Sequence, residues 1–130
     1  MMDRRQQLEN IIIGTLLEST WRHNYFDDVK CLVSVDMFRD ETNKRIYGLI
    51  WEMNSRGMVE TTPSDIFAEY GASVVDIAAD MCDLCTDYSF IHLNTKYREE
   101  QFLKGCKGRK EVTFGDYVNQ FIIMSYDKAS

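Results

Sequence analysis

Cysteine and histidine are the residue types of this chain whose spacing could carry metal or redox chemistry. Cys82 and Cys85 form a Cys-x-x-Cys pair that His92 and Cys106 follow, and four such ligands could complete a tetrahedral zinc site. Cysteine is also among the residues most often buried, and the pair falls on or beside the inner row of a predicted helix. We therefore favour reduced, packed thiols over zinc. A thioredoxin-like redox pair is disfavoured because no strand precedes it.

No pattern in the sequence is typical of a catalytic centre. The chain lacks the Gly-x-Ser-x-Gly nucleophile motif, the P-loop and the Gly-x-Gly-x-x-Gly fingerprint. His23 and His92 lie far apart and belong to no nucleophile pattern. We predict that the chain is not an enzyme, has no catalytic residues and binds neither a cofactor nor a metal. A metal-dependent enzyme built on the cysteine pair and nearby aspartates stays as a third hypothesis, which elemental analysis would test.

A stripe of aspartates at helical spacing is a candidate docking surface for a basic partner. Its members are Asp76, Asp80 and Asp83, with Asp87 continuing the row. Divalent metal binding is disfavoured, because hard cations need oxygens that converge from a loop. The alternative is a solvated face that keeps the protein soluble.

A second charged segment is the basic stretch that joins the two predicted helices of the tail. Lys104, Lys107, Arg109 and Lys110 could contact phosphates or a partner. A solvent-exposed turn with glycines at the bend is the favoured alternative, because only a handful of phosphate contacts would be available.

The overall composition limits the class of protein. The chain has 130 residues, 45% of them hydrophobic, which is sufficient for one folded core. The formal net charge of -6 argues against a dedicated nucleic-acid binder, so we expect weak or indirect nucleic-acid contact. No apolar run is long enough to span a bilayer, and the first residues do not resemble a secretory signal. We therefore expect a cytoplasmic protein with reduced cysteines and no membrane contact.

The hydrophobic pattern predicts an all-α fold organised around one helix over 38–57. Apolar residues recur there at i, i+3, i+4 and i+7, Asp40 and Thr42 are candidate N-caps, and Gly57 is a candidate C-terminal glycine. Gly14 lies inside the first helix, where glycine costs about 1 kcal/mol relative to alanine, and indicates that another backbone comes close. The other helices are predicted at 3–18, 25–33, 63–70, 73–87, 89–104 and 114–126. In the helix over 25–33 we expect Phe26, Val29, Leu32 and Val33 to face inward.

We divide the predicted fold into a compact multi-helix orthogonal bundle over 1–87, the head, and a C-terminal helical hairpin over 88–130, within one structural domain. A two-helix hairpin has too little interior to bury all of its aromatic side chains, so some must pack on the head or on another chain. We therefore predict that the hairpin carries a self-association surface and that the protein is a homodimer or a higher homo-oligomer. The predicted contact residues are Phe90, Tyr97, Phe114, Tyr117 and Phe121. The alternative to self-association is a hairpin that folds fully onto the head.

Three stretches in order carry a resemblance to a known family. The first is residues 9–17, Glu-Asn-Ile-Ile-Ile-Gly-Thr-Leu-Leu; the second runs from Phe38 through Asn43-Lys44 and Ile46-Tyr47 to Gly57; the third is 61–66, followed by Gly71. Their order and spacing resemble the N-terminal domain of DnaB-type replicative DNA helicases. After Gly71 the chain departs from the family pattern, because the Gly-Gly and Tyr-Leu signature is absent.

The resemblance implies a non-enzymatic assembly domain of the DNA replication machinery. In that family an all-α head precedes a helical hairpin through which domains pair, and pairs build the collar of a hexamer within the primosome. The family domain also offers a surface to primase and to helicase loaders. The alternative is a stand-alone helicase adaptor or loader-like protein that contacts single-stranded DNA through the basic turn at 104–110.

Overall fold

The chain folds around its first helix, α1 (Arg4–Glu18). The computed structural model describes residues 3–18, 25–57, 61–104 and 113–126, and these contain helices but no β-strand, as predicted. Two short 3-10 helices lie at Val35–Met37 and Gly71–Ile77. The other α-helices are α2 (Phe26–Val29), α3 (Glu41–Ser55), α4 (Pro63–Tyr70), α5 (Ala78–Tyr88), α6 (Phe90–Lys104) and α7 (Phe114–Ser125).

The central position of α1 corrects the prediction that the helix over 38–57 organises the fold. Every residue from Leu8 to Leu17 is buried, and α3, α5, α6 and α7 all pack against α1. The consecutive isoleucines at 11–13 explain this position, because three adjacent apolar residues cover most of a helix circumference. A helix that is apolar on all sides must be surrounded by other elements.

The helix predicted over 38–57 is shorter and buried on one face only. Asp40 is its N-cap and accepts a hydrogen bond from Asn43 N at 2.9 Å, and Gly57 follows its end with a φ of 81°. Of the four residues predicted to face inward at i, i+3, i+4 and i+7, Ile46, Ile50 and Met53 are fully buried. Leu49 is half-buried, and the opposite face is exposed. α3 is therefore an amphipathic outer helix that packs on α1.

Two predicted helices differ from the structure. The helix over 25–33 is α-helical only across α2, and Leu32, predicted to be inward, is 56% exposed. The helix over 73–87 begins as the second 3-10 helix and becomes α-helical at Ala78. The tighter 3-10 period places residues three apart on one side, and Val74 and Ile77 are both buried there.

Gly14 marks the closest approach between two elements, as predicted. A Cβ atom at this position would overlap the backbone oxygen of Leu84 in α5 and lie 3.1 Å from Ser89 N. The next residue, Thr15, accepts a hydrogen bond through Oγ1 from Phe90 N at 2.6 Å. The α5–α6 connection is thus fixed directly on the backbone of α1.

The last helix docks on the head. Thr113 and Asp116 form a capping box at its start: Asp116 N donates to Thr113 Oγ1 at 3.2 Å and Thr113 N donates to Asp116 Oδ2 at 2.9 Å. α1 is its main neighbour, and Phe121 is fully buried with its ring 5.1 Å from that of Phe38. The segments 1–87 and 88–130 therefore contribute to one continuous hydrophobic core.

Candidate interaction surface

A buried polar cluster links α1 to the beginning of α3. The Glu9 carboxylate is 1% exposed and accepts hydrogen bonds from Arg39 N (3.2 Å), Asp40 N (3.3 Å) and Asn43 Nδ2 (3.4 Å). Asn43 Nδ2 also donates to Asn10 Oδ1 at 3.0 Å. Burial raises the pKa of Glu9, and the three donors reduce that shift. These residues belong to the stretches that carry the family resemblance, and their contacts are structural.

Arg5 is another buried polar residue besides the Glu9 cluster, and its burial was not predicted from the sequence. Its guanidinium donates to Met37 O at 2.9 Å and to Met124 O at 3.2 Å, so it joins the first 3-10 helix to the last turn of α7. A cation at a helix C-terminus also interacts favourably with the helix dipole. The sequence places Arg5 beside the apolar stripe of α1. This position does not predict burial, because exposed arginines are also found beside such stripes.

The two cysteines of the Cys-x-x-Cys pair have different environments. Cys85 Sγ donates to Glu18 Oε2 at 2.8 Å, and burial followed by the hydrogen bond to Glu18 raises the thiol pKa to about 12. His92 Nε2 lies 3.6 Å from the other oxygen of Glu18. Cys82 is exposed, which corrects its expected place on or beside the inner row. Cys106 lies outside the described residues.

No described group of three or more His, Cys, Asp or Glu residues is arranged to hold a metal ion. The third hypothesis, a metal-dependent enzyme built on the cysteine pair and nearby aspartates, therefore gains no support from the geometry of the described part of the chain.

The aspartate stripe is divided by the fold. Asp76 is exposed and pairs with Arg45 of α3 at 2.8 Å. Asp80 and Asp83 instead line a cleft of about 280 Å³, which also contains Asp40 and the polar side chains of α1 and α3. The structure therefore brings two of the three predicted docking residues together and ties the third to a neighbouring helix. Their role in partner binding stays a prediction.

Most of the basic segment lies outside the described residues. Lys107, Arg109 and Lys110 lie outside the described residues, and Lys104 is the last residue of α6. The predicted contact with phosphates or a partner therefore stays a prediction.

The five aromatic residues predicted to form a self-association surface have different environments. Phe90, Phe114 and Phe121 are 9%, 5% and 0% exposed, so they cannot form an exposed contact surface in this conformation, and that part of the prediction is wrong. α6 and α7 turn these rings toward α1, Tyr25 and Phe38, which gives the tail a larger interior than a free hairpin. The side chain of Tyr97 lies outside the described residues.

Tyr117, the remaining one of these five residues, is half-buried. The Arg4 guanidinium lies 5.8 Å from the centre of its ring. Part of this ring therefore remains available at the surface.

An apolar groove opens where α6 and α7 meet the segment that contains α2. It has a volume of about 590 Å³. Phe90, Phe114 and Val118 lie at its base, and Tyr25, Val29 and Leu32 line its side. The rings of Phe90 and Phe114 are 5.9 Å apart, so α6 and α7 meet near their beginnings. This groove is the larger of the two concave sites described here.

The outer face of α7 carries two strongly exposed apolar side chains. Ile123 is 71% exposed and Tyr126, immediately after the helix, is 77% exposed. Their i, i+3 spacing puts them on the same side, away from the buried row that ends at Phe121. The second half of α7 thus presents apolar surface to solvent after its inner face has packed on the head.

Comparisons of the chain with protein-family models, with curated proteins and with solved structures find no match. Within the part of the chain that the structure describes, no helix combines the length and the apolar character needed to cross a membrane.

Proposed function

We propose that this chain is a non-enzymatic protein-interaction domain of the cytoplasmic DNA replication machinery, which associates with copies of itself and offers a surface to a primase or a helicase loader. The replication setting rests on the motifs between Glu9 and Gly71, whose order and spacing resemble the N-terminal domain of DnaB-type helicases. The all-α fold agrees with that resemblance.

The observation that carries self-association is the apolar outer face of α7. Ile123 and Tyr126 are exposed although the inner row of the same helix is fully used by the core. A two-fold contact that brings this face against its copy would cover both side chains, and Ile122 is a half-buried neighbour that extends the contact. Apolar surface covered in this way is the main favourable term in association.

An NMR dilution series of the labelled protein tests this assignment. We expect amide signals of residues 119–126 to shift as the protein is concentrated, and Ile123→Asp to abolish those shifts because it places a charge in the contact. Val75→Asp is the matched control, because Val75 is 68% exposed but lies on the second 3-10 helix. Concentration-independent spectra of the wild type, or equal effects of the two variants, would reject self-association through α7.

A further inference from the structure

The apolar groove has the dimensions and arrangement of a helix-binding site. Its lining on α6 comes from Phe90, Ile91, Asn94 and Thr95, and its lining on α7 from residues 114, 115, 118 and 119. Both sets repeat at i, i+1, i+4 and i+5, so each helix turns one continuous edge toward the groove. Two such edges diverging from a shared base form a channel into which a third helix can pack its apolar side chains.

A glycine lies in the wall of the groove. Gly115 lies in the first turn of α7, and a Cβ atom built there would meet only Thr113 Oγ1, at 3.6 Å. Gly14 is different, because there a neighbouring backbone of the same chain occupies the space. Contacts within the described chain therefore do not require a glycine at 115, while its open position lets another backbone approach α7 closely.

The charge in the groove indicates which kind of helix fits. Among the described residues of the lining, Asp28 is the only charged one. It is exposed, and its carboxylate forms no ion pair with any residue that the structure describes. Asp27, its neighbour, pairs with Lys30. The groove combines an apolar floor with one acidic group and with neutral polar side chains at Asn94, Thr95, Thr113 and Asn119. Such a site is complementary to an amphipathic helix that carries a lysine or an arginine at the edge of its apolar face.

We propose that this groove binds one amphipathic helix of a partner protein, with its large apolar side chains against the accessible lining residues Tyr25, Leu32 and Ile91, its backbone against Gly115 and a basic side chain on Asp28. This inference rests on the proposed function, because it identifies the chemistry of the partner that the interaction domain recognises. It concerns the first half of α7, whereas self-association is assigned to the second half, so the two proposals can fail separately.

Selection from a displayed library of random peptides of about sixteen residues, roughly four helical turns, tests the proposal. The probes are the selected peptides, labelled and measured by fluorescence polarisation. We expect them to share apolar residues at i, i+3 or i+4 and i+7 with an adjacent lysine or arginine. Gly115→Gln should weaken their binding at least roughly tenfold by occupying the groove, and Asp28→Lys by about three- to tenfold, as reversal of a rim charge does.

Matched control variants separate the groove from general effects. Gly48→Gln also adds a side chain at a helical glycine with open surroundings, and Asp36→Lys also reverses an exposed charge, but neither residue lines the groove. Both should leave peptide binding unchanged. Thr95→Trp, at an exposed lining residue, is a second blocking variant should Gly115→Gln unfold.

Three outcomes would overturn the proposal: no enriched peptide, enriched peptides without the helical pattern, or equal binding to the blocked and the control variants. Loss of self-association in Gly115→Gln, with no peptide bound by the wild type, would show that a second copy of this chain occupies the groove instead.

Discussion

The two glycines inside α1 and α3 should respond in opposite directions to the same substitution. Gly14→Ala places a methyl group where Leu84 O lies, and the obstacle is backbone on an adjacent helix, which cannot rotate away. Separating the helices costs about 1–3 kcal/mol, as overpacking of a core does. We expect this cost to exceed the gain of about 1 kcal/mol that alanine brings in helix propensity. Gly48→Ala meets nothing within 4 Å and should stabilise the protein by about 0.5–1 kcal/mol.

Urea denaturation followed by far-UV circular dichroism measures both effects, with the m-value as the control for a changed denatured state. We expect the midpoint of Gly14→Ala to fall and that of Gly48→Ala to rise. Because both variants gain the same helix propensity, the difference between their midpoints measures the steric conflict at Gly14. A Gly14→Ala variant as stable as the wild type would refute the close packing of α1 against the α5–α6 connection.

Three further predictions concern the core and the buried polar groups. Phe121→Ala should destabilise the protein by about 3–5 kcal/mol, measured by thermal unfolding, because it opens a cavity beneath α7; a loss below about 1 kcal/mol would contradict the burial of this ring. Because the pKa of Glu9 is raised in the folded state, its contribution to stability should fall as pH rises from about 4.5 through the folded pKa; a pH-independent difference between wild type and Glu9→Gln would refute this. Cys82 should react with a maleimide much faster than Cys85, read by peptide mapping, since the Cys85 thiol stays protonated; equal rates would contradict its contact with Glu18.

Much of the fold could be predicted from local sequence. Periodicity and capping residues located α1, α3, α4, α6 and α7, because Asp3, Asp40, Thr62 and Thr113 are N-caps whose chemistry acts within four residues. These features depend on neighbours along the chain rather than on tertiary packing. The close approach at Gly14 was also predicted, although Gly48 shows that a helical glycine can equally lie in open surroundings.

The interaction surface could be predicted less well because it depends on which way α7 turns. Phe121 and Ile123 are both apolar and two residues apart, yet one is fully buried and the other is 71% exposed. The sequence offered no means to decide between packing on the head and packing on another chain. The same limit applies to Leu32, whose exposure creates one side of the groove, and to Arg5, whose partners come from distant segments.

Sedimentation equilibrium of the wild-type protein over a range of micromolar concentrations is the most direct test of the central claim, that this is an assembly domain. The proposal predicts a reversible rise in average mass from one chain toward two or more, and a return to the mass of one chain in Ile123→Asp. A mass of one chain at every concentration would contradict the claim.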